Sequence, residues 1–126
     1  MFYIYNKIYK IMNIILLHLV HIFLISSLFI YVGICKTSIP KLMYPILLGL
    51  GIFLIPYQTY KAYNYYIGGK KYYWFNLIHV FLIGPLLIMI GLNKEKTSSY
   101  FFDFLLMMGF ASLGFHAYYL LNPGNN

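Results

Sequence analysis

The amino-acid sequence predicts an all-α membrane protein: a four-helix transmembrane bundle made of two parallel-repeat helical hairpins. Three observations predict it. The 126-residue chain is 62% hydrophobic and only 9% charged, with a mean hydropathy of +0.75. That is too little charge to cover a soluble domain of this size. The charges fall between four long uncharged runs, and the two halves match at a constant offset of 58 residues.

The runs set the elements. Between Lys10 and Lys36 lie 25 uncharged residues, between Lys41 and Lys61 another 19, and between Lys71 and Lys94 another 22. After Asp103 a further 23 run to the end of the sequence. A helix needs roughly 20 apolar residues to cross a hydrocarbon core of ~30 Å, and each run meets that. Apolarity is continuous rather than alternating, which favours helices over barrel strands. The expected spans are Ile14–Ile34, Leu42–Tyr60, Trp74–Leu92 and Phe101–Leu121. Pro40 precedes the second span and Pro123-Gly124 follows the fourth, as start and stop signals. Gly68-Gly69-Lys70-Lys71 reads as a turn in the longest loop. Pro56 and Pro85 fall inside spans, where kinks are expected. The first run is longer than the apolar region of a signal peptide and lacks a cleavage site after Ser26-Ser27, so it is expected to be retained.

The offset carries the hairpin repeat, with units at about residues 14–63 and 72–121 of a single integral membrane domain. His18-Leu19-Val20-His21-Ile22-Phe23-Leu24-Ile25 aligns with Asn76-Leu77-Ile78-His79-Val80-Phe81-Leu82-Ile83. From residue 19 to 36, nine of 18 pairs are identical, including His21/His79, Gly33/Gly91 and Lys36/Lys94. The second helices match more sparsely, at Leu47/Leu105, Leu48/Leu106, Gly51/Gly109 and Tyr60/Tyr118. Each unit has an even number of spans, so both copies enter from the same side, related by an axis along the membrane normal.

The formal charge of +7 comes from nine lysines against Glu95 and Asp103, with no Arg. Placed between apolar runs, the lysines point to phospholipid headgroups, and no nucleic-acid partner is expected. The N-terminus and second loop carry Lys7, Lys10, Lys61, Lys70 and Lys71, one more than the opposite side. Both termini are therefore expected in the cytoplasm. The N-terminal stretch Phe2 to Lys10, aromatic and basic, is expected at the membrane interface. Cys35 is the sole cysteine, which excludes an intrachain disulfide, and it reads as a small apolar residue at a helix end.

The polar residues at membrane depth are the informative ones. His79 lies ~8 Å beyond Trp74, and His116 ~9 Å before Asn122 on a helix running the other way. By the repeat, His21 shares the depth of His79 and Gln58 that of His116. All four histidines and Gln58 thus fall in one leaflet, and Gly51/Gln58 and Gly109/His116 share helix faces that point into the bundle. Ionisable groups at such depth are expensive and often functional. His21 and His79 are the candidates to ligate haem, and His18, His21, His79 and His116 to bind a transition metal. Against this stand the absence of HExxH and CxxCH, of a nearby carboxylate and of any Arg for haem propionates. Neutral imidazoles that hydrogen-bond across helices or join the interfacial belt of Tyr57, Tyr60, Tyr63, Tyr72, Tyr73, Trp74, Tyr118 and Tyr119 account for the same residues. Asp103 is placed to favour a helix N-terminus.

The segments His79-Val80-Phe81-Leu82-Ile83-Gly84-Pro85-Leu86-Leu87 and Met107-Met108-Gly109-Phe110-Ala111-Ser112-Leu113-Gly114-Phe115-His116 resemble those of short multi-pass proteins encoded by large DNA viruses. The resemblance covers mainly the second half. It implies a viral or host membrane and no particular chemistry. The functional expectation is a non-enzymatic structural or assembly component of a membrane, possible also as a homo-oligomer. Two other classes stay open: a small channel or carrier formed by the duplicated hairpins, and a haem- or metal-binding redox protein using the histidines.

Overall fold

The computed structural model describes residues 1–71 and 73–122. It is all-helical: among the described residues there is no strand. Helices α1 (Phe2–Val20) and α2 (Ser27–Cys35) are joined without a break by a π-helical turn at His21–Ser26, and together form a first rod about 50 Å long at 1.5 Å per residue. A 3₁₀ turn at Lys36–Ser38 leads towards α3 (Met43–Ile67), the second rod. The third rod is α4 (Tyr73–Ile78), a π-helical turn at His79–Ile83, and α5 (Gly84–Asn93). After a second 3₁₀ turn at Lys94–Lys96, α6 (Ser99–Leu121) is the fourth. The Pro123-Gly124 stop signal and Tyr72 of the aromatic belt lie outside the described residues.

Three rods, the first, third and fourth, are long and apolar enough to cross a membrane. The second rod, with 25 residues, has the length. Its C-terminal half, from Pro56 to Ile67, carries Gln58, Lys61, Asn64 and five tyrosines, which lower its apolarity. Many large apolar side chains face outward. Phe23 and Phe81, 58 positions apart, are 73% and 75% exposed.

The first rod packs along the fourth, and the second along the third. Each pairing is close because a glycine removes a side chain at the crossing. A Cβ on Gly33 would stand 2.6 Å from Cβ of Leu106, and one on Gly91 would stand 2.6 Å from Cβ of Leu48. Gly109 meets Ile30 in the first pairing as Gly51 meets Ile88 in the second. Small residues that let helix backbones approach are the usual means of packing where the hydrophobic effect supplies no drive between helices.

The buried core lies at the end of the rods that carries the Lys36 and Lys94 turns. It contains Phe29 and Leu87, Val32 and Ile90, Tyr44 and Phe102, and Leu47 and Leu105, each pair 58 positions apart. The turns themselves share a backbone. Lys36 has φ 53° and ψ −125°, and Lys94 has φ 52° and ψ −126°, the two non-glycine residues with positive φ among those described. Lys36 Nζ donates to Ser99 Oγ at 2.6 Å and lies 3.0 Å from Asp103 Oδ1. Asp103 thus ties the first rod's end to α6 through Lys36; it lies beyond the first turn of α6, so the expected helix N-terminus role is not met and the ion pair takes its place.

Candidate functional site

The opposite end of the rods is polar inside. His18 is buried on α1, with its Nδ1 2.8 Å from Nδ1 of His116 on α6, so one ring donates and the other accepts. Asn76 is buried on α4 and donates from Nδ2 to Oε1 of Gln58 on α3 at 2.6 Å. These two bonds occupy corresponding positions, since Asn76 lies 58 residues after His18 and His116 lies 58 after Gln58. Each joins the first helix of one half to the second helix of the other. A third polar bond, Ser26 Oγ to Ser112 Oγ at 3.0 Å, joins the first and fourth rods deeper along them.

His21 and His79 are held differently. Each stands at the first residue of its π-helical turn. Each bonds through Nδ1 to the carbonyl four residues back: Leu17 for His21 at 2.8 Å, Phe75 for His79 at 2.7 Å. A carbonyl oxygen only accepts, so Nδ1 carries the proton in both rings. The π turns arise where position 27 and its counterpart 85 disturb the helical ladder. Ser27 donates its hydroxyl to the Ile22 carbonyl, while Pro85 has no N–H to give and crowds the carbonyl of the turn before it. At Pro85 the π-helical turn gives way to α5, with the proline in the first turn of that helix. Pro56 sits within α3, which continues on both sides of it.

Three of the four imidazoles meet directly. The ring of His21 stacks on that of His116 with centroids 4.3 Å apart, and His116 lies 5.1 Å from His18. Tyr119 stacks on His18 at 6.2 Å, and Phe115 contacts Phe75 of the third rod at 4.8 Å. Neither acidic side chain lies with these rings: Asp103 is with Lys36, and Glu95 lies in the Lys94–Lys96 turn at the far end.

Among the described residues, no group of three or more His, Cys, Asp or Glu side chains is arranged to hold a metal ion. Two hollows, about 290 and 430 Å³, are lined by Thr59, Ala62 and neighbours and by Leu82, Pro85 and neighbours, with no histidine in either. One face of His21 is already covered by His116. Asn76, Ser26 and Ser112 were not singled out from the sequence. The signal for Asn76 was there: it is the counterpart of His18, as Gln58 is of His116, so a bond in one half implies one in the other. The serines gave none, since Ser26 corresponds to Gly84 and Ser112 to Leu54. No protein-family profile, no curated protein and no solved structure matches this chain.

Proposed function

We propose that this chain is a four-span integral membrane protein built as two parallel copies of one hairpin, and that its role is non-enzymatic: a structural or assembly component of a membrane. The observation that carries the reading is the pair of bonds His18–His116 and Asn76–Gln58. Polar side chains at bilayer depth are costly unless satisfied within the protein. Here they are spent on each other, across the boundary between the copies, where a catalytic or transport site would leave them facing substrate. The resemblance in sequence supports a viral or host membrane as the setting. The second rod crosses as the others do, its tyrosines and Lys61 lying at one interface.

Two measurements test this. In a double-mutant cycle, Gln58→Leu and Asn76→Leu should each lower thermal stability in detergent, and the coupling between them should be about 0.6–1.7 kcal/mol, the range measured for bonds between membrane helices. Purified protein in liposomes should give no ion or solute flux above protein-free vesicles. Sustained flux would overturn the structural reading in favour of a pore.

A further inference from the structure

We propose that the His18–His116 bond is an acid-released latch: when both rings are charged, the first rod and α6 part at that level, while the Asn76–Gln58 bond keeps α4 on α3. The proposal rests on the structural reading, in which these two bonds tie the copies together. It adds that only one of the two answers to pH.

The latch follows from the atoms that meet. The two Nδ1 atoms are 2.8 Å apart, so one carries a hydrogen and the other a lone pair. That arrangement holds one proton between the rings and has no room for a second. A proton taken up at Nε2 of the donating ring leaves the bond in place, now charge-assisted. A proton taken up at the accepting Nδ1 ends it, because two N–H groups then face each other. Two imidazolium rings carry hydrogen on all four nitrogens, so the fully charged pair always repels. The counterpart bond is made by the side-chain amides of Asn76 and Gln58, which do not titrate. Of two bonds at matching positions in a duplicated fold, one is therefore sensitive to pH and the other is not.

The surroundings supply nothing to hold a doubly charged pair. From the first rod, His21 stacks on His116 with centroids 4.3 Å apart and adds another titratable ring. On α6, Tyr119 stacks on His18. The second and third rods bring Lys61, over the rings of Tyr57 and Tyr65, and His79, bonded to the Phe75 carbonyl. Both acidic side chains, Asp103 and Glu95, are at the other end of the rods. Away from water, like charges so close repel strongly.

The first and fourth rods are also tied deeper, by Ser26 to Ser112 and by the packing of Gly109 on Ile30 and Gly33 on Leu106. None of these contacts titrates, so the opening is confined to the side of the serines that carries the histidines. His116 is only half-buried, which gives protons a way to the pair. The parted rings bind more protons than the closed pair, so acid favours the parted state. Separated imidazoles titrate near pH ~6.5, which sets the opening at or below that value.

Spin-label pairs in full-length Cys35→Ala protein, in lipid nanodiscs with a metal chelator present, read the two sides separately. Leu17→Cys with Tyr118→Cys reports on α1 and α6, and Tyr60→Cys with Trp74→Cys on α3 and α4; all four positions are exposed. Between about pH 7.5 and about pH 4.5, either side of the ordinary imidazole value, the 17–118 distances should lengthen and should return on neutralisation. The 60–74 distances should stay as they are. In His18→Asn with His116→Gln, which copies the amide pair, the 17–118 distances should no longer respond to acid. Unchanged 17–118 distances in protein that keeps its histidines would overturn the latch, and that result needs no histidine variant to fold. An equal lengthening at 60–74 would overturn it too, since acid would then be loosening the whole bundle. So would a response that persists in the Asn–Gln variant. The double-mutant cycle on Gln58 and Asn76 is read at neutral pH and depends on none of these outcomes, so the structural reading stands or falls separately.

Discussion

Gly33 lies so close to Leu106 that a Cβ on the glycine would stand 2.6 Å from the leucine Cβ. Nothing there gives way cheaply, because the next nearest atoms are Leu106 backbone atoms at 2.8 and 2.9 Å. Gly33→Ala should therefore destabilise the protein by about 1–3 kcal/mol, the range for overpacking a tight core. Gly91→Ala, against Leu48, should cost a similar amount. Gly49 and Gly114 meet nothing within 4 Å. Alanine there should be neutral or stabilise by up to about 1 kcal/mol, through its better helix propensity. Thermal unfolding of the four variants in one detergent checks the contrast, and equal effects at all four sites would contradict it.

Tyr44 offers a test of opposite sign. It is 1% exposed, and its hydroxyl has no hydrogen-bond partner among the described residues. Its counterpart 58 positions on is Phe102, buried in the same core with no polar atom to satisfy. Tyr44→Phe should raise stability by about 1 kcal/mol, since an unsatisfied buried hydroxyl carries its desolvation penalty. A loss of stability on that substitution would mean that the hydroxyl is bonded in the membrane.

Lys94 holds φ 52° in a region that only glycine adopts without strain. Lys94→Gly should relieve on the order of 1–3 kcal/mol. The equivalent Lys36→Gly should gain less, because it also removes the contacts to Ser99 and Asp103. That ion pair is partly exposed, at 39% and 53%, and such pairs contribute about 1 kcal/mol or less. Unfolding of both variants side by side separates relief of strain from loss of the pair.

Much of this was legible in the residues and some was not. Uncharged runs located all four rods, because the stretch of a helix that crosses hydrocarbon tolerates few charges. Their ends were less legible. The first rod begins at Phe2 rather than near Ile14, since Phe2 to Asn13 contains no Gly or Pro to stop a helix once one is running. The shift of 58 put His18, His21, His79 and His116 at one depth, and the rings of His18, His21 and His116 meet. Which rods pair was not legible. A hairpin suggests that its own two helices pack together, whereas the glycines at 33 and 91 draw each first helix to the second helix of the other half. The π-helical turns were also hidden, because Ser27 and Pro85 disturb the ladder by different chemistry and share only their position.

Of the four rods, the second is the one whose crossing of a membrane most needs direct measurement, because the other three are long and apolar enough to span one. Single cysteines at Ser38, Ile67 and Lys96, in a Cys35→Ala background, can be labelled in sealed vesicles with a reagent that does not cross the bilayer. Residues 38 and 96 should react from one side and residue 67 from the other. Labelling of 38 and 67 from the same side would mean that α3 does not cross, and would contradict the four-span architecture.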